Sequence, residues 1–409
     1  MESTVVILAE DLMKIISLCI FTGIICMKIG NRVHIPDVVL FIFSGILLGP
    51  ELLNLISFKN YKTGSQFILS FGAAYILYDG GREIRLKVLN KVKLSVLTLA
   101  TLGVLITTFI TGYFTAVVFH IPFIYALLLG SVIASTDPSV LVPLFKKVKI
   151  SNKPKQTIIS ESAFNDAAAA IITFSIIGII QGGNFSMVSS LSELMIKAIG
   201  GIAVGSVVGY SSTLLVSEKK YNFLNGYPGE MSVAAVIGAY FLAEHLHLSG
   251  FMAVFLVGIF CGNKETFRLS INPHHENLHL SFKDVLISLI RILIFIILGT
   301  QLKISILSLY FTKSLIVILA FIFIGRPVSV ILSTFLDKPA KWNIRELAYL
   351  MWTRETGVIP AALAATIVSM NIAHAEIITS VTFMAIIITL TFQASTAGLA
   401  AKILKLDMD

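Results

Sequence analysis

The sequence predicts an all-α polytopic membrane protein of about 13 transmembrane helices, with inverted repeats and two crossed broken helices. Three observations carry this. The composition is too apolar for a soluble domain, the apolar residues fall in stretches of spanning length, and the basic residues crowd into alternate loops. Of 409 residues, 56% are hydrophobic and 13% charged, with a mean hydropathy of +0.89. A soluble domain carries roughly 25% charged residues, so most of this chain belongs in lipid.

Stretches near the ~20 residues that a bilayer requires fit 5–27, 36–52, 65–81, 94–119, 122–144, 157–181, 190–215, 230–246, 249–262, 284–301, 307–333, 347–368 and 377–401. Ahead of the first, Met1-Glu2-Ser3-Thr4 lacks the basic region of a signal peptide, and Glu10, Asp11 and Lys14 interrupt the stretch itself. It is therefore read as a retained span. Cys19, Cys26 and Cys261 fall in or beside apolar runs without ligand spacing and read as packing residues. The whole of 1–409 reads as one transporter unit with no soluble domain and no cofactor.

The net charge of +8 could point to nucleic acid, but its distribution points to a membrane. Arg82, Arg85, Lys87, Lys91 and Lys93 share one loop; Lys146, Lys147, Lys149, Lys153 and Lys155 share another. Lys28, Arg32, Lys219, Lys220, Lys264, Arg268, Lys283, Lys338, Lys341, Arg345, Lys402 and Lys405 fall on the same side. The intervening loops hold only Lys59, Lys62, Lys303 and Lys313. The positive-inside rule then puts the C-terminus in the cytoplasm and the N-terminus outside. Lys14, Lys197 and Arg291, near span ends, read as snorkelling or interfacial.

Spans 5 and 12 share an unusual pattern. One contains Thr136-Asp137-Pro138 with Pro143 beyond; the other contains Thr353-Arg354-Glu355-Thr356-Gly357 followed by Pro360. Proline in a helix removes a hydrogen bond and clashes with the preceding turn, so both spans are expected to break. They cross in opposite senses, as inverted repeats do when their interrupted helices meet at the midplane. Asp137 is expected at the N-terminal start of one half-helix, where free N–H groups favour an anion. Arg354 is expected near the C-terminal end of the first half of span 12, where free carbonyls favour a cation.

Span 6 carries Ser160-Glu161-Ser162-Ala163-Phe164-Asn165-Asp166 in an otherwise apolar helix. Ionisable groups at that depth are costly and mark ion pathways. Ser162 and Asp166 lie one turn apart on one face, with Glu161 and Asn165 on the adjacent face. One face can offer oxygens to a hard alkali cation while the other meets a buried base. A desolvated carboxylate is one at which a proton and a cation can compete.

Together Thr136-Asp137-Pro138, Glu161-Ser162-x-x-Asn165-Asp166, Ser249-Gly250-Phe251-Met252-Ala253-Val254, Ile294-Phe295-Ile296-Ile297-Leu298-Gly299 and the arginines of spans 11 and 12 form a family pattern. It resembles that of the first family of monovalent cation/proton antiporters, the prokaryotic NhaP-type sodium/proton exchangers. The resemblance runs from about residue 30 to about 395. It implies the antiporter fold of NhaA type, a homodimer with an elevator-like core, and a role in pH homeostasis. The core is expected at approximately 65–181 plus 284–401 and the dimerisation domain at approximately 1–52 plus 190–262. By the same resemblance Asp166 is the ion- and proton-binding aspartate, and Ser162, Asp137 and the backbone at Thr136 are its oxygen-donating companions. Asp79 stands where several relatives carry a glutamate that reaches the ion. Glu161 resembles a carboxylate held by a buried arginine, taken as Arg326 in Gly325-Arg326-Pro327, with Arg354 as the other candidate. Electrogenic relatives carry two adjacent aspartates where this chain has Asn165-Asp166, which implies electroneutral one-for-one exchange.

The bland readings stand beside these. Asp137 also fits helix N-terminal compensation, Asp79 a surface ion pair with Arg82, and Ser162 a bond to its own preceding turn. The expected function is exchange of Na+ (or Li+) for H+ rather than enzymatic work, with K+/H+ exchange as the alternative. His275-Glu276-Asn277-Leu278-His279 matches the H-E-x-x-H zinc-protease signature, but in a polar loop and without a third ligand in the spans. A channel needs a continuous wetted path, and an organic-anion carrier needs a cationic surplus. Here the surplus is acidic and concentrated at one centre.

Overall fold

With no water in the hydrocarbon to bond free N–H and C=O groups, a chain can cross a bilayer only as helices or as a closed barrel. This chain does so as helices. The structure, a computed structural model, describes residues 2–33, 37–58, 60–136, 145, 150–182, 187–218 and 223–407. Asp137 and Pro138 lie outside the described residues. In order the longer helices are α1 (Glu2–Val33), α2 (Asp37–Leu48), α3 (Lys62–Glu83), α4 (Leu86–Phe119), α5 (Phe123–Ile133), α6 (Asn152–Ile180) and α7 (Met187–Val216). Then come α8 (Pro228–His245), α9 (Gly250–Gly262), α10 (Pro273–Thr300), α11 (Phe311–Phe335), α12 (Ile344–Trp352), α13 (Val358–Ser369) and α14 (Ala375–Ile403). Within α1, α4, α6, α7, α11 and α14 lie segments long and apolar enough to cross a membrane.

Span 12 is two helices, α12 and α13, separated by the irregular segment 353–357. Pro360 falls in the first turn of α13, where its missing N–H has no helical partner to lose. In span 5, α5 stops at Ile133 and the backbone is irregular at Ser135 and Thr136. A π turn interrupts α4 at Leu99–Gly103 and α11 at Phe321–Gly325, the helices that precede the two broken spans. A third lies in α14 at Thr389–Ala394. Such turns gather at functional sites.

Two large apolar clusters hold the helices, and a third, with Leu77, Ile158, Phe255, Val330 and Tyr349, runs across both. One apolar cluster joins α1, α2, α3, α8, α9 and α10 and meets α13 and α14 along a seam; another joins α5, α6, α11, α13 and α14 with the far end of α4. The first group packs through glycines: a Cβ on Gly258 of α9 would strike the Tyr78 carbonyl of α3, and one on Gly81 the Phe255 carbonyl. Small residues let membrane helices approach this closely. Through such contacts α3 packs on α9, and Gly45 of α2 meets Ile296 and Gly299 of α10. Apolar length places a helix in the membrane but carries no information about its neighbours.

Candidate functional site

Breaking a helix frees backbone groups that must find partners, and at both breaks the following helix supplies them. In α6, Ser162 Oγ donates to the Thr136 carbonyl at 2.8 Å, and Asn165 Nδ2 donates to Thr136 Oγ1 at 2.9 Å. Asn165 Oδ1 accepts from Thr136 N at 3.3 Å. In α14, Gln393 Nε2 donates to the Trp352 carbonyl at 2.7 Å, and Thr389 Oγ1 accepts from Thr356 N at 3.1 Å. The same device serves both repeats. Thr389 and Gln393 are polar residues one turn apart in an apolar span, the signal that made span 6 conspicuous, yet sequence reading passed over them.

The two buried arginines complete the accounting. Arg326 follows the π turn of α11 and is 1% exposed. Its Nη2 donates to Glu161 Oε2 at 2.9 Å, its Nη1 to Glu161 Oε1, and its Nε to the Leu350 carbonyl at 2.9 Å. Between the two arginines, it is Arg326 that meets Glu161. Arg354 donates through Nη2 to the Ala134 carbonyl and through Nη1 to Thr107 Oγ1 at 3.3 Å, and lies 4.9 Å from the Phe321 ring centroid. Arg354 was expected to serve the carbonyl end of its own half-helix. Instead it caps the end of α5, and Arg326 and Gln393 cap α12. The reason is in span 5: α5 stops at Ile133, and carbonyls at a helix end must find donors outside the helix.

Asp166 is buried and accepts from Ser135 Oγ. Ser162, Asn165 and Asp166 thus turn together toward the break in span 5, while Glu161 faces α11. Asp166 and Thr136 line a cavity of about 10 Å³ closed by Ala73, Ile76, Leu77, Val358 and Ile359. Ala73, Val358 and Ile359 also line a cavity of about 330 Å³ that holds Lys197, Glu244 and His247. That cavity lies at the ends of α3, α6 and α8 remote from the basic loops, one apolar layer from Asp166.

Asp79 is not at the surface. It is 3% exposed and forms an ion pair with Lys283 of α10, which is equally buried although sequence reading placed it in a basic loop. Arg82 turns to Tyr78 Oη at 3.4 Å and to His279 Nε2. The H-E-x-x-H residues form the first turns of α10 rather than a loop. Glu276 is paired with Lys264 and His279 faces a guanidinium, which opposes metal binding; among the described residues no group of His, Cys, Asp and Glu could hold a metal. Burial, with Arg82, Lys283 and Lys264 nearby, lowers the His279 pKa to about 3. Arg291, expected at an interface with lipid, is paired with Asp37 of α2 at 2.8 Å.

The family description "Sodium/hydrogen exchanger, transmembrane" matches residues 16–402 of this chain. The chain belongs to that family. As an exchanger-family protein of many apolar helices, it is a multi-pass membrane protein. It is 29% identical to the probable Na(+)/H(+) antiporter 2 of Methanocaldococcus jannaschii over 93% of this chain and 94% of that one. It is 28% identical to the K(+)/H(+) antiporter NhaP of Alkalimonas amylolytica, over 96% of this chain and 67% of that one. The structure of the sodium proton antiporter MjNhaP1 from Methanocaldococcus jannaschii at pH 8 aligns with a TM-score of 0.81 at 28% identity, covering 96% of this exchanger and 99% of that chain.

Proposed function

We propose that this exchanger moves Na+ or Li+ against H+ across the cytoplasmic membrane, one for one, through Asp166. The observation that carries the reading is the cavity at the crossing, where the Asp166 carboxylate and Thr136 meet. The Ser162 hydroxyl donates to the Thr136 carbonyl, and with the carboxylate these oxygens make a set suited to a hard cation. Asp137 belongs to this set by resemblance. A proton and a cation compete for one carboxylate, so each half-cycle carries one or the other.

The larger cavity supports an outward-facing approach, with Ala73, Val358 and Ile359 as the barrier between it and the site. The two large apolar clusters support an elevator-like cycle. In it α4–α6 with α11–α14 carry the site past a frame of α1–α3 and α7–α10, through which two copies associate. The cytoplasmic face is the one bearing the basic loops. Resemblance to K(+)/H(+) antiporters makes K+ the second cation to test.

The experiment is dye-reported proton movement in proteoliposomes, driven in turn by Na+, Li+ and K+. Wild type should move protons with saturable Na+ or Li+ dependence. Asp166→Asn, which keeps shape but cannot alternate its load, should insert normally and move none. Normal flux in that variant would overturn the assignment, and flux with K+ alone would transfer it to K+/H+ exchange.

A further inference from the structure

Two rungs tie α3 to α10 near the basic-loop face: Asp79 with Lys283, and Arg82 with His279. The Asp79–Lys283 pair is the one that bears on transport. Its side chains are 4% and 3% exposed. Asp79 lies one helical turn from Ile76, which lines the Asp166 cavity with Ala73 and Leu77 of the same helix. Beside Asp79, Gly80 faces α6, where an added Cβ would meet the Ile159 side chain at 3.7 Å. Asp79 therefore lies one turn from the residues that close the site cavity, on its basic-loop side.

Lys283 has a second carboxylate within reach. Its Nζ lies 3.4 Å from Asp284 Oδ1, on a side chain 63% exposed. A buried ion pair gains little net stability, because desolvating both charges offsets their attraction. Breaking one is costly when it leaves a bare charge inside. Here neither charge is left bare if a metal cation arrives at Asp79 as the flexible lysine stem swings its ammonium to Asp284, at the edge of water. One cation replaces another.

We propose that Lys283 is a tethered competitor for the transported cation at Asp79, setting the affinity for cations entering from the basic-loop face. The proposal rests on exchange through Asp166. The test measures the apparent KM for Na+ on each face, using right-side-out and everted vesicles containing the full-length protein. Lys283→Gln should lower the KM on the basic-loop face by about five- to tenfold, the size of one modest ion-pair competition, and leave the opposite face within about twofold. Asp79→Asn in that background should cancel the gain. Asp284→Asn, an exposed change that leaves Lys283 without its second position, should raise the same KM.

A lower melting temperature or maximal rate in Lys283→Gln with KM unmoved on both faces would mean the pair only braces α3 against α10. A gain that survives Asp79→Asn, or an unmoved KM in Asp284→Asn, also overturns the proposal. Loss of cation-driven flux in Asp166→Asn keeps the exchange reading standing in those cases. Flux absent from wild type sinks both.

Discussion

Asn165 and Thr136 hold each other twice, amide to hydroxyl at 2.9 Å and backbone N–H to amide carbonyl at 3.3 Å. A clamp of this kind fixes the broken backbone beside Asp166, because the side chain offers a donor and an acceptor where the helix offers neither. Asn165→Ala leaves buried polar groups unpaired, at about 1–3 kcal/mol each. It should lower the melting temperature in detergent and reduce exchange at least about tenfold. Thr136→Val removes only the hydroxyl and should do less. Equal effects in the two variants would show that the backbone bond contributes nothing.

Glu161 and Arg326 should behave as one structural unit. Removing either partner strands a buried charge, at a cost of about 3–5 kcal/mol. Each single neutral substitution should destabilise the protein more than Asp166→Asn does, and the double substitution should recover part of the loss. Melting temperatures of the four proteins form the cycle; simple additivity would mean that the two residues do not interact.

Exchange should ignore membrane potential. Asn165 is an amide committed to Thr136 and cannot carry a proton; on the proposed exchange Asp166 alone would then alternate between one H+ and one Na+. A potential acts on net charge moved, at about 2.3 kcal/mol per elementary charge per 100 mV. With a potassium–valinomycin potential imposed, after K+ is shown not to be a substrate, the equilibrium Na+ gradient should stay where it was. A shift would reveal a second travelling charge.

His279 should make the protein acid-sensitive. Burial first, then Arg82, Lys283 and Lys264, lower its pKa from 6.5 to about 3. Between those values the unfolded chain binds a proton that the folded chain does not, so stability falls as pH falls through that window. At pH 5 the loss is about 2 kcal/mol. His279→Gln should flatten the decline in melting temperature from pH 7 to pH 5. A parallel decline in both proteins would assign the acid sensitivity to other groups.

The sequence by itself determined what the bilayer enforces. Apolar length, alternate basic loops and prolines 138 and 360 made the helical fold and its two breaks legible, because lipid tolerates no other way of satisfying the backbone. The polar run from Ser160 to Asp166 was legible for the same reason, since charge inside an apolar span needs a cause. Partnership was decided only in three dimensions. Which arginine meets Glu161, why Arg354 caps α5 rather than its own half-helix, and the burial of Lys283 against Asp79 depend on which helices pack side by side. Hydropathy is a property of one segment against lipid, whereas an ion pair or a capped carbonyl is a property of two segments, set by glycine contacts and helix breaks that bring distant residues together.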